Sequence, residues 1–206
     1  MSPRLDLPLA LGAWFIGFGW LAAAGTFVPL AVVAVATAAR LVAGDPATRR
    51  LLRPTAASTA AGGAVGAASI VATYSSYPAV ASAWPELSAS VRGLYRMLDG
   101  GPAGRWSLLL VVCAVGAAEE IVWRGRMLGD APDPAGRRGG VLASALAITA
   151  VYGAVHLASG SRLLPVAALV CGVGWASLRI ATRSLWAPVV AHLAWSSAIL
   201  VVRPLI

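Results

Sequence analysis

Apolar runs about as long as membrane-spanning helices fill most of the chain, separated by short polar stretches. Seven spans can be drawn, at about residues 7–24, 26–43, 55–77, 105–128, 140–158, 163–181 and 185–203. Between the third and fourth, the segment Pro85 to Gly104 carries Glu86, Arg92, Arg96 and Asp99 among Leu87, Val91, Leu94, Tyr95 and Leu98. Those apolar positions fall near helical spacing and predict an amphipathic helix lying on the membrane surface. The expected fold is therefore all-α: a polytopic membrane helix bundle of about seven transmembrane helices plus one amphipathic interfacial helix. No repeat of 20–50 residues interrupts it, so residues 1–206 read as a single integral membrane domain. The loop from Asp130 to Gly140, with Pro132 and Pro134, is the clearest break in the second half. Gly62, Gly63 and Gly66 are expected to let helices approach closely. Arg4, the apolar stretch from Leu7 and the small residues Ala22 to Ala24 imitate a secretory signal. The stretch is nevertheless long enough to span, and a second run follows at once near Thr26, so it is read as a retained helix.

Composition agrees with a bilayer setting. Hydrophobic residues make up 59% and charged residues 12%, against about 25% charged in soluble domains. The net charge of +8 is carried by arginine without any lysine, and the arginines cluster between the apolar runs, as in Arg49, Arg50 and Arg53 or Arg137 and Arg138. Anionic membrane lipid explains that placement better than nucleic acid, which is not expected as a partner. With the N-terminus in the cytoplasm, Arg4, Arg40, Arg49, Arg50, Arg53, Arg126, Arg137, Arg138, Arg179 and Arg183 fall inside. Arg92, Arg96, Arg105, Arg162 and Arg203 fall outside, so the bias favours that orientation. Trp20, Trp84, Trp106 and Trp186 sit near span ends, as an aromatic belt requires. Cys113 and Cys171 lie inside apolar runs as small hydrophobes and form no metal or disulfide pattern. The alanine-rich, arginine-only composition points to a GC-rich prokaryote and hence to its plasma membrane.

The fourth span ends on Glu119, Glu120 and Arg124, where a lipid-embedded chain does not tolerate charge. Each such group costs about 2.5–3.5 kcal/mol at mid-bilayer, so the three unpaired would cost on the order of 8–10 kcal/mol. Three spans each carry a polar pair four residues apart: Glu120 with Arg124, Tyr152 with His156, and His192 with Ser196. That spacing puts both members on one helix face. A structural ion pair accounts for Glu120 and Arg124 but leaves Glu119, about 100° further round the helix, without a purpose. With Arg124 as counter-ion to Glu120, Glu119 is the better base. A histidine from another helix could share a water with it, and the second histidine with its hydroxyl could hold a developing oxyanion. A zinc site built on Glu119, His156 and His192 is the rival, but no H-E-x-x-H helix is present and Arg124 opposes a divalent cation. No metal or other cofactor is expected.

Glu119-Glu120-Ile121-Val122-Trp123-Arg124 with Gly125, then Tyr152-Gly153-Ala154-Val155-His156, then Ala187-Pro188-Val189-Val190-Ala191-His192, together resemble the three motifs of the CAAX protease and bacteriocin-processing family, also called the Abi family. The similarity covers about residues 105–200, the expected catalytic core, while the first hundred positions carry no motif. The resemblance implies a metal-independent, glutamate-dependent intramembrane endopeptidase that cleaves a peptide or membrane-protein segment. It makes Glu119 the general base on water, Glu120 and Arg124 its electrostatic support, His156 a partner in activating water and His192 an oxyanion donor. The family usually has asparagine where this chain has Ser196, and more often phenylalanine where it has Tyr152. Serine donates one hydrogen bond from a shorter side chain. The alternative is a non-catalytic immunity or assembly factor that retains the protease fold. A rhomboid-type serine protease using Ser159 with His192, and a proton-relay transporter, leave the acids or the absence of paired broken helices unexplained.

Overall fold

The computed structural model describes residues 7–98, 104–129 and 138–206, and among these every regular element is helical. In chain order they are α1 (Leu7–Ala24), α2 (Val28–Gly44), the short α3 (Pro46–Leu51), α4 (Ala56–Ala83), α5 (Pro85–Leu98) and α6 (Gly104–Glu119). α6 continues as a π-helix over Glu120–Met127, and α7 (Arg138–His156) ends in a 3₁₀ turn, Leu157–Ser159. α8 (Leu163–Thr182) and α9 (Trp186–Ser197) follow, the latter closing with a π turn over Ala198–Val202. Four helical stretches are long and apolar enough to cross a membrane: Ala56–Ala83, Trp106–Met127, Gly140–Ser159 and Leu163–Thr182. Shorter apolar helices at Leu11–Ala24, Val28–Gly44 and Trp186–Val202 fall on the remaining runs. Most of the expected 130–140 loop, and the end of the expected amphipathic helix beyond Leu98, lie outside the described residues.

Local chemistry sets the ends. Asp45 is extended and caps α3, accepting from the Ala47 and Thr48 N–H groups at 2.9 and 3.2 Å and from the Thr48 hydroxyl at 2.7 Å. The hydroxyl bond and the two amides hold its carboxyl below the usual carboxylate range against the opposing effect of burial. Arg49 turns back to donate to the Val42 and Ala43 carbonyls, each at 2.7 Å, closing the free end of α2. Six residues in a polar gap are too few for apolar periodicity, so α3 has no counterpart among the expected elements. Thr55 and Ser58 form a capping box that starts α4. Gly160, at φ +70°, lets the chain leave the 3₁₀ turn and re-enter as α8.

α4 packs along α9, and α7 along α8. A Cβ on Gly62 would clash with the Ala187 carbonyl oxygen, and one on Gly66 would lie 3.1 Å from Ala194 Cβ, so both glycines sit against α9 as expected. Gly63 faces open space and serves no such contact. Gly62→Ala should therefore lower stability by about 1–3 kcal/mol through overpacking. Gly63→Ala should be neutral or stabilising by up to about 1 kcal/mol from helix propensity. Unfolding of both variants in one detergent checks this, and equal effects would refute the assigned helix contact.

The expected surface helix differs in one respect. Leu87, Val91 and Leu94 of α5 are buried against the bundle, so its apolar stripe covers protein. The amphipathic pattern was right about the stripe but could not say what it meets, since bundle and bilayer offer the same apolar burial. Hydrogen bonds tie distant turns together at two places. The Leu185 N–H donates to Leu51 O at 2.9 Å, tying the α8–α9 turn to α3, while Tyr95 of α5 donates to Ile199 O at 2.8 Å and accepts from the Leu205 N–H at 2.9 Å. Arg179, counted among the inner-end charges, is buried within α8.

Candidate active site

The core that surrounds the acids is built largely from the first two helices, which carry no motif: Trp14, Phe18 and Leu21 of α1 and Leu30, Ala34 and Leu41 of α2 pack on Val122, Trp123 and Tyr152. Against this wall α6 changes to π-helical pairing at Glu120, with the Leu128 N–H bonded to Trp123 O at 3.1 Å, five residues back. Such widened turns occur often at functional sites. Here the stretch buries Glu120, Val122, Trp123, Arg124 and Gly125 together.

The two acids have different surroundings. Glu120 Oε1 accepts from Arg124 Nη1 at 3.2 Å and from His192 Nδ1 at 2.8 Å. Arg124 lies over the Tyr152 ring at 4.4 Å from its centroid. A Cβ on Gly172 would come within 2.9 Å of Arg124 Nη2, so only glycine leaves room there. Glu119 is held from the other side. Its Oε2 accepts from the Tyr152 hydroxyl at 2.6 Å and lies 3.7 Å from His192 Nε2, while its Oε1 lies 3.7 Å from His156 Nε2. Those two longer separations exceed hydrogen-bonding distance, so the contacts are electrostatic only.

The histidines are oriented by their second nitrogens. His156 Nδ1 is 2.7 Å from the Tyr152 carbonyl, which can only accept, so Nδ1 carries a proton and Nε2 is the nitrogen turned toward Glu119. Phe18 packs on this ring at 4.2 Å, and Trp175 of α8 stacks on His192 at 5.7 Å with 22° between planes. Phe18, Gly172 and Trp175 escaped the sequence reading. Each is a packing residue in a span without a motif, and no spacing distinguishes it from an ordinary core position.

Glu119, Tyr152, His156, His192 and Ser196 line one cavity of ≈340 Å³, otherwise mostly apolar but for Thr73, Ser76, Tyr77 and Tyr95; Glu120 and Arg124 do not line it. That size and lining are typical of a ligand site, which spans about 300–1,000 Å³. Its wall follows α8 from Leu163 to Trp175, about 18 Å at 1.5 Å per residue, so the acids lie at the deep end and α5 with Leu205 at the other. Ser159 belongs to the helix end: its hydroxyl donates to His156 O at 2.6 Å and accepts from the Ser161 N–H at 3.2 Å.

The described residues thus form a helical bundle with four helices apolar and long enough to cross a membrane, and with two carboxylates and two imidazoles grouped at one cavity. Residues 102–198 match the family model described as type II CAAX prenyl endopeptidase Rce1-like, so that segment is similar to the CAAX proteases that its motifs resemble. Searches of curated proteins and of solved structures give no match.

Proposed function

We propose that the chain is a glutamate-dependent intramembrane endopeptidase of a prokaryotic plasma membrane, acting on a peptide or membrane-protein segment. The observation that carries this reading is the position of Glu119, at the deep end of the cavity with an imidazole 3.7 Å from each carboxylate oxygen. With the His156 ring neutral, a water beside Glu119 Oε1 and His156 Nε2 meets two acceptors, so both its protons are engaged and its lone pair faces the cavity. Attack on a peptide carbonyl transfers one proton to Glu119 and leaves a tetrahedral oxyanion. Glu119 then returns that proton to the departing amine as the C–N bond breaks.

His192 holds the oxyanion. Its Nδ1–H already donates to Glu120, so donation from Nε2 requires the imidazolium, for which Glu120 is the counter-ion. Glu119 and Glu120 are then balanced by Arg124 and His192. Ser196 lines the same cavity and supplies a second, shorter donor in place of the family's amide. The scissile bond must arrive unwound, because a helical carbonyl is occupied by its own N–H. With the N-terminus in the cytoplasm, the α5 end of the cavity faces outward and substrate enters from there.

The test compares peptide termini in membranes of cells that carry the intact protein or Glu119→Ala. Cleaved ends present only with the intact protein support the reading and identify the substrate. Identical termini on every membrane protein would leave the non-catalytic immunity or assembly role in its place.

A further inference from the structure

Tyr152 is unusual among the groups at the site because it touches the proposed base directly. Its hydroxyl is 2.6 Å from Glu119 Oε2, and its ring is fixed on three sides. Arg124 lies over one face at 4.4 Å, the Trp123 ring is 5.2 Å away, and His156 meets it edge-on at 4.5 Å. Its main-chain carbonyl holds His156 Nδ1 at 2.7 Å. One residue thus sets the orientation of both groups that flank the proposed water.

Resting on the endopeptidase reading, we infer that Tyr152 is a positioning residue that selects which carboxylate oxygen of Glu119 acts as base. The two oxygens are otherwise equivalent: each lies 3.7 Å from an imidazole Nε2. The hydroxyl bond occupies Oε2 and fixes the carboxylate plane. Oε1 is left to take the water proton, and it is the oxygen beside His156, whose Nε2 lone pair in the neutral ring can hold the other proton. Without the hydroxyl the carboxylate can turn about its terminal torsion, which is broad. A water activated at Oε2 would lie toward His192, the oxyanion donor, and no longer meet the second acceptor.

Tyr152→Phe removes one oxygen and keeps the ring contacts. It should lower kcat by about 10–100-fold, the scale of a misplaced reacting group, while KM stays within about twofold. A readout independent of turnover accompanies it. The infrared band of ionised carboxylate should shift in purified full-length Tyr152→Phe, and the same substitution made on Glu119→Gln should give no shift. The kcat loss, unchanged KM and Glu119-dependent band support the proposal. Unchanged kcat and band in Tyr152→Phe, with Glu119→Gln inactive, overturn it alone. Cleavage that survives Glu119→Gln overturns the endopeptidase reading and this proposal with it.

Discussion

Glutamine at position 119 should reduce single-turnover cleavage of a fixed peptide by at least about 10²–10⁴-fold, the usual contribution of a general base. The fold should be nearly untouched. Glutamine has the shape of glutamate, and its carbonyl can still accept from the Tyr152 hydroxyl that now bonds Oε2 at 2.6 Å. The melting temperature should therefore stay nearly level. Chelation should leave the wild-type rate unchanged, because the proposed water is held by Glu119 and His156 alone. About one tightly bound zinc per chain, with activity lost on its removal, would instead make Glu119, His156 and His192 its ligands. A rate in Glu119→Gln equal to that of wild type on every processed substrate would remove the catalytic reading altogether.

The site was legible in the sequence because charge is so expensive in lipid. Glu119, Glu120, Arg124 and both histidines stand out against apolar spans, and the four-residue spacing gives each pair a common face. Helix positions were legible for the same reason: a bilayer imposes one length and one composition on each span. What stayed hidden depends on neighbours. The π-helix at Glu120 leaves no compositional trace, because its hydrogen-bond shift follows from what packs around it. Nothing in the spacing separates Gly62 and Gly66, which touch α9, from Gly63, which does not. Tyr152 was visible as a partner of His156 on its own helix, but its bond to Glu119 crosses to another, and only the tertiary fold creates it. The wall supplied by Trp14 and Phe18 could not be read from a motif at all, since aromatic residues are ordinary in spans.

Arg124→Ala should destabilise the protein by about 3–5 kcal/mol, the largest effect on folding expected from any single site change. Glu120 is fully buried and Arg124 is 2% exposed, so their pairing at 3.2 Å is screened neither by water nor by salt. Alanine leaves Glu120 with His192 alone, and also removes the cation lying over Tyr152. The loss comes from the charge left behind, so a second substitution separates the causes. Glu120→Gln added to Arg124→Ala should recover part of the stability, because the double variant no longer buries an unbalanced carboxylate. Arg124→Lys should rescue incompletely, since the guanidinium lies over the Tyr152 ring and close to Gly172, where a flexible point charge gains less. Equilibrium unfolding of the four proteins in one detergent measures each step. Stability of Arg124→Ala within about 1 kcal/mol of wild type would mean that Glu120 is not held as an ion by Arg124, and the counter-ion assigned to the His192 imidazolium would be lost with it.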